Sequence, residues 1–397
     1  MADNKDKKVL NVPALRFPEF SGEWEKYVLT EFVERVTRRN KGNECKLPLT
    51  ISAQYGLVDQ ITFFNKIIAS ADMSNYYLLT NGDFAYNKSY SSEYPWGAIK
   101  RLDRYEYGAL SSLYICFRPL NHVSSDFLTH YFETKKWHQG ISEIAVEGAR
   151  NHGLLNIGIQ DFFATKHYLP QSILEQEKIA CFLNLIEERI RLQNKIIEDL
   201  KKLKSALADK LYSSTKGETY SFRQLFDVVN ERNKKLTYSN VLSASQELGM
   251  IERSDINIDI KFEQDSISKY KIVRRGDYVV HLRSFQGGFA FSDRTGICSP
   301  AYTILRPHDM VVYGYLSYFF MSKPFIKSLK LVTYGIRDGR SINVEEWLDM
   351  TVTLPTRQKQ SHIITIINAI DDKLNNENQI HTCLLQQRAF LLKVMFI

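Results

Sequence analysis

The segment Ile179 to Leu211, IACFLNLIEERIRLQNKIIEDLKKLKSALADKL, decides the fold. Its residues Ile179, Leu183, Ile186, Ile190, Ile197, Leu200 and Leu207 recur at steps of four and three, the seam of a coiled coil, interrupted by Gln193 and Lys204. A second segment, Ile363 to Met395, IITIINAIDDKLNNENQIHTCLLQQRAFLLKVM, repeats the pattern at a constant offset of 184. There Ile363, Ile367, Ile370, Leu374, Leu384 and Leu391 form the seam, and Glu377 and Arg388 stand where Gln193 and Lys204 stood. Each run begins just beyond a proline, Pro170 or Pro355, through which a helix does not readily extend backwards. A helix of about 40 residues is roughly 60 Å long, more than a small domain is wide, so its own domain cannot cover it. Two matched runs therefore predict two long helices packed antiparallel on each other, a rod with a globular domain at each end and a pseudo-twofold axis.

Outward from the helices, the rest of the chain is duplicated as well. Phe32-Val-Glu-Arg-Val-Thr-Arg-Arg-Asn40 matches Leu225-Phe-Asp-Val-Val-Asn-Glu-Arg-Asn233, and Gly56-Leu-Val-Asp59 matches Gly249-Met-Ile-Glu252, both at offset 193. Gly82-Asp83 and Gly276-Asp277 mark the same tight turn between strands. Leu113 to Pro119 and Ala301 to Pro307 are apolar strands closed by Arg-Pro, where proline cannot donate to a central ladder. Gly148-x-Arg150 matches Gly335-x-Arg337. Each half thus reads as a mixed α/β or mostly β domain of about 140 residues, and the fold class is α+β. The expected divisions are a leader (1–27), a first domain (28–170), a first spacer helix (171–214), a second domain (215–355) and a second spacer helix (356–397).

The 397 residues suit this plan and exclude a single small domain. With 44% hydrophobic and 12% aromatic residues the chain is not a disordered one. Its net charge of +7 permits a polyanionic partner without demanding one. Cys45, Cys116, Cys181, Cys298 and Cys383 lie too far apart for a disulfide framework or a zinc site. The charged start and the short apolar stretches, the longest being about Met310 to Ser322, predict no signal peptide, no membrane span and a cytoplasmic location.

Catalytic signatures are missing from the sequence. It contains neither the Asn/Asp-Pro-Pro-Tyr/Phe with which aminomethylases hold a flipped base nor a Gly-Lys-Ser/Thr phosphate loop. Gly287-Gly288 reads as a turn, and the Asp-x-Lys triplets at Asp6 and Asp371 read as solvated charge. The nine histidines show no metal-binding spacing. The expectation is a chain without catalytic residues, metal or cofactor.

The order of domain, long helix, domain, long helix resembles the specificity (S) subunit of type I restriction-modification systems over essentially the whole chain. The leader Val12-Pro13-Ala-Leu15-Arg16-Phe17-Pro18-Glu-Phe20-Ser-Gly22-Glu-Trp24 is similar to the opening such subunits often carry. Pro170-x4-Glu175-Gln176-x-Lys178-Ile179 is similar to their helix-start motif. The second copy departs from it, with Lys359 before Gln360 and a shorter loop, so a contact made by Glu175 is not expected there. The resemblance implies a non-catalytic reader of double-stranded DNA in which each globular part is a target recognition domain for one half of a split, asymmetric sequence. It further implies spacer helices that serve as a ruler and as a dock for methyltransferase subunits, with restriction subunits joining them. S-adenosylmethionine, ATP and magnesium would belong to those partners in an adenine-methylating complex. Two other readings are a coiled-coil scaffold whose globular ends bind proteins, and a stand-alone DNA nuclease or methylase.

Positions alike in both copies should hold the frame, and loops that differ should read the two half-sites. Between the Gly-Asp turn and the Arg-Pro strand the first copy has six extra residues, within a basic and aromatic loop. Such loops combine phosphate anchoring with base-edge readout. The candidates are Lys88, Lys100, Arg101 and Arg104 in the first domain, and Arg283, Gln286 and Arg294 in the second. Gln54 with Tyr55, and Gln246, precede a strand in each copy and offer amides for adenine. Arg150 and Arg337 are shared by both copies, which suits either a phosphate contact or a salt bridge that holds the fold.

Overall fold

The computed structural model describes residues 10–145, 153–214, 216–245, 248–255, 264–281, 288–334 and 341–397. It comprises two compact units, Met1–Gln193 with Ile380–Ile397, and Asn194–Gln379.

The first unit runs through β1 (Glu25–Val28), β2 (Val33–Arg35), β3 (Pro48–Ser52), β4 (Gly56–Asp59), the short α1 (Gln60–Phe64), β5 (Tyr77–Thr80), β6 (Phe84–Asn87) and β7 (Ala98–Arg101). It continues with β8 (Tyr107–Leu110), β9 (Ile115–Pro119), α2 (Ser125–Tyr131), α3 (His138–Ile144), α4 (Ile159–Phe163) and β10 (Lys166–Leu169), and enters α5 (Ile173–Ser213), of 41 residues. Beyond α5 the second unit has β11 (Glu218–Ser221), α6 (Phe222–Leu225), β12 (Phe226–Val229), β13 (Leu242–Ser245), β14 (Gly249–Glu252), β15 (Lys271–Val273), β16 (Tyr278–Val280) and β17 (Phe289–Phe291). Then come β18 (Gly296–Cys298), β19 (Thr303–Pro307), α7 (Tyr315–Met321), α8 (Lys323–Ser328), β20 (Thr333–Tyr334), β21 (Ser341–Ile342), α9 (Val344–Asp349), β22 (Thr351–Leu354) and the 38-residue α10 (Arg357–Val394).

One antiparallel sheet is common to both units, β2-β9-β6-β7 in the first and β12-β19-β16-β17 in the second. A two-stranded ribbon closes each domain, β1 with β10 and β11 with β22. The remaining strands differ. The first unit joins them as β4-β3-β8-β5 with β3 and β8 parallel, whereas the second splits them into β13-β14 and β15-β18, linked by a single parallel bridge from Val241 to Ile297.

The repeated sequence signatures meet in space. Gly82 and Gly276 take φ of +89° and +98°, the left-handed region that a residue with a Cβ avoids. The turn each makes buries the next aspartate, Asp83 or Asp277, whose carboxylate accepts the amide of Thr80 or Arg274 at 2.8 Å. The arginine of the Arg-Pro strand then pairs with that aspartate, Arg118 with Asp83 and Arg306 with Asp277, and the bond raises the guanidinium pKa in both units. A second repeated anchor is the glutamine one turn into each long helix. Gln176 donates to the Pro170 carbonyl at 2.9 Å and accepts from the Ser124 amide at 2.8 Å. Gln360 does the same with Pro355 and Val312, at 2.9 and 2.8 Å, and adds Met310 at 3.0 Å. One buried amide thus stitches the helix start to the domain that precedes it.

In each unit the α5 and α10 segments run antiparallel. In the first, Arg388 pairs with Glu187, and Phe396, farther along the chain, packs on Trp24 beside the start of α5. In the second, Lys204 pairs with Asp371 at 2.5 Å, while Ala208 and Leu211 pack on the cluster holding Ile363 and Ile367. The polar interruptions of the seam therefore have a use, because Lys204 and Arg388 each neutralise a carboxylate on the facing helix. Seam residues also do more than the heptad pattern implies. Ile179, Leu183, Ile186 and Ile190 share one core with Trp24, Phe127 and Phe162, and Ile363 and Ile367 share another with Trp347 and Leu316. The ends of the helices are core elements of their domains as well as helix partners.

His167 on β10 is buried between the Tyr131 hydroxyl at 2.9 Å and the Thr165 hydroxyl at 2.8 Å. Burial pulls its pKa down to about 4. On acidification the unfolded chain takes up this proton first, near pH 6.5. The stability that His167 contributes to the first unit is thus complete above that pH and falls as pH drops toward 4, by roughly 3 kcal/mol. Thermal unfolding from pH 7 to pH 4 should show this slope together with those of His130 and His138, whose pKa values burial also lowers, and His167→Val, which installs the residue found at the matching position Val352, should reduce it.

Candidate nucleic-acid interface

The chemistry expected of the loops is phosphate anchoring and base readout, and it begins on the hairpin joining β3 to β4. Gly56 at φ +78° permits the tight turn, and the Ser52 hydroxyl accepts the Tyr55 amide at 3.2 Å. Gln54 and Tyr55 project from this turn into solvent, with Tyr55 57% exposed. Tyr55 edges onto Phe63 of α1, which with Phe64, Ile61, Ile67 and Ile68 gives this corner an exposed apolar face.

The structure brings Gln54, Lys100 and Arg101 onto one cleft, but the two cations are already engaged. Lys100, on β7, pairs with Glu133, and only 12% of its side chain is exposed. Arg101 reaches Asp103 and Asp126, each at 2.6 Å, and the Ser125 hydroxyl at 2.9 Å. Glu133 and Glu187 both face Arg388, so these charges tie the sheet that carries β7 to the helices of its own unit. His130 completes the network by bonding Asn184 at 2.8 Å, and burial lowers its pKa. Lys88 is half-buried just after β6, and its carbonyl accepts the Leu155 amide. Arg104 stands exposed beyond β7, with no carboxylate partner among the described residues.

The second unit has a corresponding cleft of different chemistry. β16 and β17 pair in the register of β6 and β7, which puts Ala290 and Phe291 where Lys100 and Arg101 stand. Lys204, Tyr318 and Asp371 face it, with the Tyr318 hydroxyl donating to Asp371. The Asp-x-Lys triplet at Asp371 is therefore consumed by structure, Asp371 by Lys204 and Lys373 by Glu377. Arg294 pairs with Asp293 at 2.8 Å and holds that carboxyl below its ordinary range. Arg150, Gln246, Arg283, Gln286 and Arg337 lie outside the described residues. Among the described residues no group of acidic, histidine or cysteine side chains is arranged to hold a metal, and no helix is long and apolar enough to cross a membrane.

Sequence reasoning passes over several groups. Arg35, Arg38 and Arg39 lie exposed along and just beyond β2 and have no carboxylate partner among the described residues. Arg39 lies 4.3 Å from the Tyr77 ring centre and donates to the Asn75 carbonyl at 2.6 Å, while Arg35 reaches the Tyr77 hydroxyl at 3.4 Å. Three arginines within five residues are the available cue, hidden because the segment is so plainly part of the repeat. The leader, in turn, is structural. Arg16 grips Glu175 with two bonds of 2.7 Å, and Trp24 donates to the same carboxylate at 3.2 Å. Lys359, at the position matching Glu175, is exposed, so this contact is not repeated in the second unit.

No protein-family model matches the chain, and no curated protein sequence matches it. Solved structures do. The type I restriction-modification system S subunit from M. genitalium superposes with a TM-score of 0.53 at 14% identity, covering 97% of this chain and 99% of that one. A chain from a structure on complex assembly and conformational transition of the type I restriction-modification system gives a TM-score of 0.56 at 14% identity, covering 93% and 96%. At such identity the likeness is one of fold, and it extends over both domains and both long helices.

Proposed function

We propose that this chain is a DNA specificity subunit of a type I restriction-modification complex. It binds a split, asymmetric double-stranded sequence, one half-site per domain, and positions adenine-methyltransferase and restriction subunits while carrying no catalytic residue of its own. S-adenosylmethionine, ATP and magnesium act in those partners. The observation that carries this reading is the combination of repeated frame elements with unlike clefts beside them. The Gly-Asp turn, the Asp–Arg pair and the helix-start glutamine are duplicated, while the clefts beside them present Lys100 and Arg101 in one unit and Ala290 and Phe291 in the other. Two readers on one frame suit two different half-sites.

The long helices also retain apolar side chains outside their buried seam. In the first unit these are Leu185, Leu192, Leu385 and Phe390, and in the second Ile196 and Leu203. Exposed apolar rows on a helix favour further helices as partners, which suits methyltransferase docking.

Footprinting with the cognate methyltransferase present is the deciding experiment. The expected result is protection of an interrupted sequence, with affinity falling steeply as salt rises. A single uninterrupted site, or no duplex binding, overturns the reading, and salt-insensitive binding to protein alone would favour a scaffold.

A further inference from the structure

A cleft of about 720 Å³ opens in the first unit, where the β1–β10 ribbon meets α2 and α3. Lys26, Lys135, Lys136 and Lys166 line it, all exposed and none in an ion pair among the described residues. Its only carboxylate side chain among the described residues is Glu143, which accepts from Gln139 at 3.3 Å. The floor is the Tyr131–His167–Thr165 chain of hydrogen bonds, polar groups that a purely apolar packing surface would not need. Four ammonium groups outnumber the Glu143 side chain and the Ile397 carboxylate that share the concavity, and the excess positive charge suits a multiply charged anion.

The second unit lacks the feature. The register of β11 on β22 places Thr219, Thr351 and Val352 where Lys26, Lys166 and His167 stand, and at the offset of the Arg-Pro strands Phe319 and Pro324 match Tyr131 and Lys136, so that of the four lysines only Lys135 has a counterpart, Lys323. A surface for a partner that engages both repeats alike would be present twice. This one is present once, so it is not an anchor that the two repeats share.

We infer that this cleft is a phosphate-binding site confined to the first domain, its ligand being a phosphodiester backbone or a free polyphosphate. The choice of duplex DNA as the source rests on the function proposed above, whereas the cleft itself does not. Lysine ammonium groups suit this role as point charges on long stems that need no fixed bidentate geometry.

The test compares the full chain with Lys26→Gln/Lys135→Gln/Lys136→Gln/Lys166→Gln, and with the milder Lys135→Gln/Lys136→Gln, which changes only the turn between α2 and α3. In phosphate-free buffer neither variant should melt below the parent, because removing like charges relieves repulsion. Inorganic pyrophosphate should raise the melting temperature of the parent, raise that of the double variant less, and leave that of the quadruple variant unchanged. No shift in the parent, or equal shifts in all three chains, overturns the proposal. Duplex binding across a salt series then separates the sources. If the backbone is the ligand, the slope of log K against log salt shrinks by about one for each phosphate that the variant no longer neutralises. An unchanged slope with the pyrophosphate effect abolished assigns the site to a free polyphosphate. Absence of duplex binding by the parent would remove the specificity-subunit reading and leave the cleft standing.

Discussion

Arg16→Ala is expected to destabilise the first unit by about 3–5 kcal/mol, although Arg16 precedes the first strand. Glu175 is 2% exposed, and Arg16 supplies both strong bonds that hold its charge. Without the guanidinium the carboxylate keeps, among the described residues, only the Trp24 indole and stands uncompensated where it is buried. Such a loss exceeds that of an ordinary surface ion pair several-fold. Arg16→Lys should fall between parent and alanine, because an ammonium restores the charge but not the two-pronged grip. Urea unfolding followed by tryptophan fluorescence measures the effect, and a loss below about 1 kcal/mol would show that Glu175 finds other partners. The corresponding change at exposed Lys359 should be nearly silent.

Trp347→Ala should cost the second unit a similar amount, about 3–5 kcal/mol, through loss of packing. Trp347 is fully buried, stacks on Phe222 with ring centres 4.3 Å apart, and touches Phe289 and Phe320. Its indole nitrogen has no hydrogen-bond partner among the described residues. A buried donor left unpaired carries a penalty of about 1–3 kcal/mol, and Trp347→Phe removes that penalty together with part of the ring. The phenylalanine variant should therefore lie much closer to the parent than to alanine. Calorimetric melting of the three chains tests the ranking, and equal losses for both substitutions would contradict it.

The helices and the shared sheet were legible because their signals are periodic or duplicated. The 4-3 spacing survives the polar interruptions, and Gly82-Asp83 and Arg118 are each matched by a second copy that packs identically. What escaped the sequence is charge that closes on itself. Lys100 and Arg101 look like free cations in a basic loop, yet Glu133, Asp103 and Asp126 neutralise them, and two of these three carboxylates lie more than 20 residues away. Conversely, the lysines of the first-domain cleft are scattered from Lys26 to Lys166 and become neighbours only through the pairing of β1 with β10 and the turn after α2. Neutralisation and convergence are both properties of long-range contact, which spacing along a chain does not encode. The aromatic leader suits packing on its domain or on a partner, and the domain is what Phe17 and Trp24 meet, at Phe182 and Phe127.

The Asp–Arg pair closes on itself and the helix-start glutamine closes on backbone groups of its own unit, and neither draws on the neighbouring turns. Among the described residues the Gln54–Tyr55 turn and exposed Arg104 bear no part of the frame's hydrogen bonding beyond one backbone bond to Ser52. Change along this chain is therefore partitioned. Substitutions at Asp83, Arg118 or Gln176, and at Asp277, Arg306 or Gln360, are taxed by folding, whereas the tips of the loops are free to drift. Two halves that began alike can in this way diverge in what they touch while remaining interchangeable in how they stand.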